Sequence, residues 1–214
     1  MSTRYFGKPV KRNEDARLLT GKALFVDDVE LSGMLHAAFL RSPYAHARIL
    51  SIDSAAARER EGVIAIYTAE DLGAYWQPGP LLVPPPPVPG IVFNQRCQVP
   101  LAKGVVRHVG EPVVLVIAES RYIAEDAVND IVIDWDPLPV AADLEFSAGA
   151  DAPRVHEDVP GNVAAHARQT KGDYAKAAPN AHKIIKRRFT YDHGCSQPME
   201  TRGVVAQWDA KADK

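Results

Sequence analysis

The stretch VVLVIAESRYIAEDAVNDIVIDW, residues Val113–Trp135, decides the fold class. Val113–Ala118 is an unbroken apolar run, too short for a buried helix and rich in β-branched residues, so it predicts a strand buried on both faces. Ser120 then stands where a side-chain oxygen can accept the free amides of a first helical turn. A helix follows from Arg121 to about Asp130, with Ile123, Ala127, Val128 and then Ile131 at helical spacing. Ile131–Trp135 returns to a strand pattern, and Asp136-Pro137-Leu138-Pro139 closes it.

On the N-terminal side, residues 1–18 read as an extended, charged lead-in. Leu24-Phe25-Val26 reads as a short strand ended by Asp27-Asp28, and Leu31-Ser32-Gly33 as a turn. Met34–Leu40 has strand length and stops at Ser42-Pro43; Ala47–Ile52 predicts a further strand. Asp53 or Ser54 can cap a short helix over Ala55–Glu61, which Gly62 ends. Val63–Tyr67 is a strand of buried type, and Thr68 can cap a helical turn over Ala69–Leu72. Val105–His108 predicts one more strand before the turn Val109-Gly110-Glu111-Pro112. Strands and short helices mix without strict alternation, so the fold class is α+β and not a doubly wound sheet.

Two segments break the pattern. Residues 73–100 carry Pro78, Pro80, Pro84 to Pro87 and Pro89. Proline lacks an amide donor and fixes φ, so neither helix nor central strand suits them. The proline loop 78–90 reads either as a linker or as a segment that wraps a partner. Residues 146–180 are polar and alanine-rich, with one short helix over Asp173–Ala178, and read as a crossing between two domains. Strands over Lys183–Tyr191 and Gly203–Trp208 then begin a sheet that has no further strands.

Composition narrows the functional classes. The 214 residues are 46% hydrophobic and 24% charged, with a formal charge of -2, which suits a globular domain and gives no excess of cations for a nucleic-acid backbone. The basic run Lys183, Lys186, Arg187, Arg188 leads into Phe189 and Tyr191 and reads as a solvated strand edge. Cys97 and Cys195 are far apart, too few for a zinc or iron–sulfur site, and their scarcity suits a reducing cytoplasm. No leader with an apolar core stands at the N-terminus, and no apolar run is long enough to span a bilayer. Nucleic acid and membrane are therefore not expected partners.

Local catalytic motifs are scarce. There is no GxGxxG, P-loop, HExxH or Gly-x-Ser-x-Gly. Asp27 and Asp28 would point to opposite faces of a strand, which suits a strand end better than a cation site. His36 sits in an apolar run as a core histidine would, and His46, His108, His156 and His166 share no ligand spacing. Glu111 could act as a general base or could hold a turn by accepting backbone amides. His193, Cys195 and Glu200 form the one dense polar group. In an extended segment, residues two apart lie about 6–7 Å apart at Cα, and no third group orients a Cys–His nucleophile.

A set of phrases does resemble a known family: Arg12-Asn13-Glu14-Asp15-Ala16-Arg17-Leu18-Leu19-Thr20-Gly21, Phe25-Val26-Asp27-Asp28, the run from Gly33 to Ala47, Val109-Gly110-Glu111-Pro112-Val113, Trp135-Asp136-Pro137-Leu138-Pro139, and Pro198-Met199-Glu200-Thr201-Arg202-Gly203-Val204. In order and spacing they resemble the start of the molybdopterin-binding large subunit of the xanthine dehydrogenase/aldehyde oxidase/carbon monoxide dehydrogenase family. The resemblance implies an α/β-hammerhead domain over 19–142, a crossing segment over 143–180, and the first strands of a molybdopterin-binding domain over 181–214. It also implies hydroxylation of an aldehyde, an N-heterocycle or a similar small substrate. Molybdopterin cytosine dinucleotide would serve in the complete subunit, with [2Fe–2S] clusters and FAD on small and medium partner subunits.

In that family the glutamine near molybdenum, the glycine-rich cofactor loop and the base glutamate all follow the segment resembling Pro198–Gly203. They are not among these 214 residues. The resemblance therefore assigns no catalytic, cofactor-binding or metal-binding residue here, and the chain alone is expected to be inactive and free of cofactor. Gln197, Glu200, Arg202 and Trp208 are its candidate domain-interface residues. The expected partner is a chain carrying the rest of the molybdopterin-binding domain, and the expected location is the cytoplasm. A stand-alone interaction or small-molecule-binding module is the alternative.

Overall fold

The computed structural model describes residues 5–80, 87, 90–94, 96, 98–191 and 194–212. Within them the chain runs α1 (Asp15–Leu19), β1 (His36–Arg41), β2 (Ala47–Asp53), α2 (Ala55–Glu59), β3 (Val63–Tyr67), β4 (Val92–Phe93), β5 (Val105–Val106) and β6 (Pro112–Ala118). It continues through α3 (Arg121–Asn129), β7 (Val132–Pro137), α4 (Leu144–Ser147), β8 (Ala165–His166) and α5 (Tyr174–Ala177).

The valine-rich run becomes β6, the middle strand of an antiparallel sheet ordered β1-β6-β3. Its register sets His36 against Ala118 and Leu40 against Val114 on one side, and Ile66 against Val116 on the other. Val114, Val116 and Ala118 are wholly buried, because α3 covers the face that carries them. Leu115 and Ile117, on the opposite face, are only half-buried. The expectation of burial on both faces is thus corrected: beyond Val113, period-two geometry sends alternate side chains to a face that no helix among the described residues covers.

α3 forms as its sequence demands. The Ser120 hydroxyl accepts the Ile123 amide at 3.2 Å, and Ala124 and Ala127 are fully buried, their small side chains letting the helix settle onto the sheet. Gly62 is obligatory where α2 leads to β3. Its φ is +84°, and a Cβ there would lie 2.8 Å from Ile123 Cδ1.

A second antiparallel sheet is ordered β5-β2-β7, with Ala47 opposite both Val106 and Pro137 and Asp53 opposite Val132. Arg48 and Asp136, opposite one another, pair at 3.0 Å. Ala47 and Val106 join the β6–α3 residues in one core. Packing at this density makes residues 35–182 one compact unit. The described parts of Met1–Met34 and Lys183–Lys214 make a second.

Several local expectations are corrected. The lead-in is not wholly extended, since Asp15–Leu19 is helical, with Arg12 Nε paired to Asp15 at 2.8 Å. Leu24–Val26 is not a strand. Val26–Asp28 is one 3-10 turn, because the Asp28 carboxylate accepts the Phe25 amide at 2.9 Å and folds the chain back on itself. Thr68 does not act as an accepting cap. Its amide and hydroxyl both donate to the Asp71 carboxylate at 2.7 Å, which holds Asp71 below the usual carboxylate range.

Residues 183–191 and 203–208 form no ladder among the described residues. Residues 183–191 are exposed throughout, and so are 203–208; an extended segment without a neighbouring strand has nothing to pair with. Conversely, β4 and β8 join segments read as loop and crossing, with Val92 opposite His166 and Phe93 opposite Ala165. Strands of two residues are too short for periodicity to reveal.

Candidate functional site

Two short phrases, far apart in sequence, meet in the unit formed by the two end segments. The turn Phe25–Asp28 lies against Met199–Gly203. The Val26 amide donates to Glu200 Oε1 at 3.2 Å. Gly203 permits the approach: a Cβ there would stand 2.7 Å from Val26 Cγ1, inside van der Waals contact. A hollow of about 440 Å³ opens beside this junction, lined by Phe25, Val26, Asp27, Asp28, Met199, Glu200 and Thr201. Its titratable groups are all carboxylates. Those of Asp28 and Glu200 are each engaged by a backbone amide.

The structure brings only one of the four predicted interface residues into this junction, and that is Glu200. Gln197 instead donates through Nε2 to Cys195 Sγ at 2.9 Å. Arg202 is exposed. Trp208 is 67% exposed and borders a shallow hollow made with its own neighbours Gln207, Asp209, Ala210 and Lys211. Among the described residues no three or more His, Cys, Asp and Glu gather where a metal ion could be held. His193 and Cys97 lie outside the described residues, and Cys195 is exposed. Sequence reasoning missed the role of Gly203. It stands in the family-like phrase Pro198–Val204, but the residue it must make room for is Val26, which no local pattern connects to it.

Glu111 resolves toward the turn reading. It is 9% exposed, and its carboxylate accepts the Arg107 amide. Its own carbonyl accepts the Ser42 amide at 2.9 Å, and the Gly110 amide returns the bond to Ser42 at 2.8 Å. His108 Nδ1 lies 3.7 Å from the same carboxylate. Removing the acceptor with Glu111→Ala leaves a turn amide unsatisfied, at a cost of about 1–3 kcal/mol. A thermal-melt series should show that loss, and Glu111→Gln, which keeps an acceptor oxygen, should restore part of it.

Comparison with known proteins places this geometry. The sequence profile described as "Aldehyde oxidase and xanthine dehydrogenase, a/b hammerhead domain" matches residues 20–139. The one described as "Molybdopterin cofactor-binding domain" matches residues 155–214. The nicotine 6-hydroxylase large subunit of Paenarthrobacter nicotinovorans is 38% identical over 97% of this chain and 25% of its own length. The 6-hydroxypseudooxynicotine dehydrogenase complex subunit gamma of the same organism is 36% identical over 98% of this chain and 26% of its own. The crystal structure of quinoline 2-oxidoreductase from Pseudomonas putida 86 superposes with a TM-score of 0.69 at 39% identity, covering 82% of this chain and 22% of that one. The chain thus spans about a quarter of the length of the curated relatives it matches.

The hollow beside Glu200 does not fit the cofactor that the second profile implies. Three carboxylates line it, and a pterin that carries phosphate would bring like charge to them. Acidic lining and a glycine contact suit a packing junction between chain segments. The antiparallel sheets, the α3 cover over β6 and the matched profiles together place the chain in the aldehyde oxidase/xanthine dehydrogenase family of molybdenum hydroxylases, as a hammerhead domain joined to molybdopterin cofactor-binding sequence.

Proposed function

We propose that this chain provides scaffold and subunit interface for the large subunit of a multisubunit molybdenum hydroxylase. The observation that carries the reading is the order of the two matched segments, hammerhead then cofactor-binding domain, along one chain whose residues 183–191 and 194–212 present their side chains to solvent. Exposed Ile184, Ile185, Phe189, Tyr191, Val204 and Trp208 are apolar surface of the kind that further polypeptide covers. In this reading residues 181–214 begin the cofactor-binding domain and 19–142 form the hammerhead. Gln197, Glu200, Arg202 and Trp208 are its candidate domain-interface residues.

The assembled enzyme would use molybdopterin cytosine dinucleotide on the completed large subunit. A small iron–sulfur subunit and a medium FAD subunit would carry electrons away. One relative is named a subunit of a dehydrogenase complex, which supports partner chains. Two of the similar proteins are named for nicotine and quinoline, both of which contain a nitrogen heteroaromatic ring, and this favours an N-heterocyclic substrate over an aldehyde. No described helix is long and apolar enough to cross a membrane, and the low cysteine count fits a cytoplasmic setting.

Co-expression with a polypeptide supplying the remaining large-subunit length tests the proposal. A partner that binds only the folded form stabilises it by mass action, so the melting temperature should rise, and the pair should hold molybdenum and turn over N-heterocycles. The lone chain should do neither. Trp208→Ala should remove much of the gain while leaving the far-ultraviolet circular dichroism of the lone chain unchanged. Stoichiometric molybdenum with turnover in the lone chain would overturn the reading, and so would a Trp208→Ala chain that unfolds by itself.

A further inference from the structure

Residues 155–166 belong by sequence to the cofactor-domain match, yet in space they are fastened to residues of the hammerhead match. Arg107, which follows β5, donates from Nε to the Val155 carbonyl at 3.1 Å. Arg96 pairs with Asp158. Asn94, just after β4, donates its amide to the Ala164 carbonyl at 2.8 Å and Nδ2 to that of Val163 at 2.7 Å, beside the β4–β8 ladder. Val159 is 4% exposed and anchors the loop.

Asn162 knots the loop from within. It sits in the left-handed region at φ +53°, where asparagine is tolerated. Its Oδ1 accepts the Val155 amide at 2.9 Å, and Nδ2 donates to the carbonyls of Pro153 and Ser147 at 2.9 and 3.0 Å. His156 lies between the two fastened positions, Val155 and Asp158. The charged groups that face it are Arg107 after β5, Arg96 after β4, Asp158 on its own loop, and Glu111 on the turn before β6.

We propose that residues 153–166 are an acid-released clasp, docked on the segments that follow β4 and β5 while His156 is neutral and loosened when His156 takes a proton beside Arg107 and Arg96. Burial first, then the two arginines, hold His156 below the usual histidine range, while Asp158 and Glu111 pull the other way. A folded-state value depressed in this sense means that docking is favoured above the unfolded value of about 6.5. That contribution is lost as the pH falls through it into the depressed range. The clasp governs how the leading residues of the cofactor-domain match are held. It rests on this loop's geometry and not on the enzymatic proposal, so either can fail alone.

Hydrogen exchange of the full chain at about pH 7.5 and about pH 5.5, corrected for intrinsic rates and referenced to β6, tests the clasp. Peptides spanning 153–166 should exchange faster at the lower pH while β6 does not change. The ceiling on the rise is about tenfold for each pH unit by which folding depresses the His156 value. His156→Gln, which cannot take the proton, should abolish the rise. An unchanged wild-type loop would overturn the proposal, and so would a rise that persists in His156→Gln, since His156 would then not carry it. If His156→Gln loosens the loop at both pH values, the wild-type imidazole followed by NMR decides. A midpoint below that of a free histidine, tracking the exchange rise, supports the clasp; a midpoint at or above it overturns the clasp.

Discussion

Val116→Asp is expected to abolish cooperative folding of the 35–182 unit. Val116 is 0% exposed, on the central strand of its sheet between Ala38 of β1 and Ile66 of β3. An ionised carboxylate there would have no partner, and an unpaired buried charge costs several kcal/mol even after relaxation. A domain of this size has about 5–15 kcal/mol of stability in all. Calorimetry should show no transition, or one shifted far downward, while Tyr122→Asp, at a position 79% exposed on the first turn of α3, should stay within about 0.5 kcal/mol of the parent. A Val116→Asp chain that melts near the parental temperature would mean that β6 is not the centre of the core.

The second large effect is a contrast in hydrogen exchange along one chain. Amides of β6 are bonded on both sides within its ladders and flank wholly buried valines. They should exchange only through global opening, about 10³-fold or more slower than an unprotected chain. Residues 183–191 and 203–208 are exposed and make no ladder, so they should exchange within roughly tenfold of the unprotected rate. The amides of Phe25, Val26 and Asp28, bonded to Asp28, Glu200 and Phe25, are where some protection is expected in the turn against Met199–Gly203. Adding the completing polypeptide should slow exchange across 183–208 and leave β6 as it was. Protection of 183–208 in the lone chain equal to that of β6 would show that these segments pair in solution, contrary to the structure.

Much of the hammerhead was legible from local pattern because local physics governs it. β6 and α3 declare themselves through apolar runs at periods of two and of about 3.6, and the Ser120 cap through the need of first-turn amides for an acceptor. The short helix after Asp173 formed over Tyr174–Ala177, with the Asp173 carboxylate accepting the Lys176 amide, for the same reason. Glu111 was readable as a turn residue, one of two open roles, because a carboxylate within a few residues of free amides tends to accept them.

Local reasoning failed where a residue's partner lies far along the chain or where two local bonds compete. Leu24–Val26 carries the composition of a strand, yet Asp28 captures the Phe25 amide and makes a turn. Thr68 could cap a turn, yet Asp71 is the stronger acceptor and reverses the donor and acceptor roles. Glu200 and Val26 are 174 residues apart, and nothing between them encodes their meeting.

From residue order alone came the α+β class, the strand–helix–strand centre and the family resemblance, since all three depend on periodicity, caps and ordered phrases that neighbouring residues set. Only the tertiary structure decided which face of β6 is covered, why Gly203 admits no side chain, and where Asn94, Arg96 and Arg107 seize the 153–166 loop. Each of these depends on which surfaces come within contact distance once the chain has closed on itself, and contacts between distant segments leave no periodic trace in either of them.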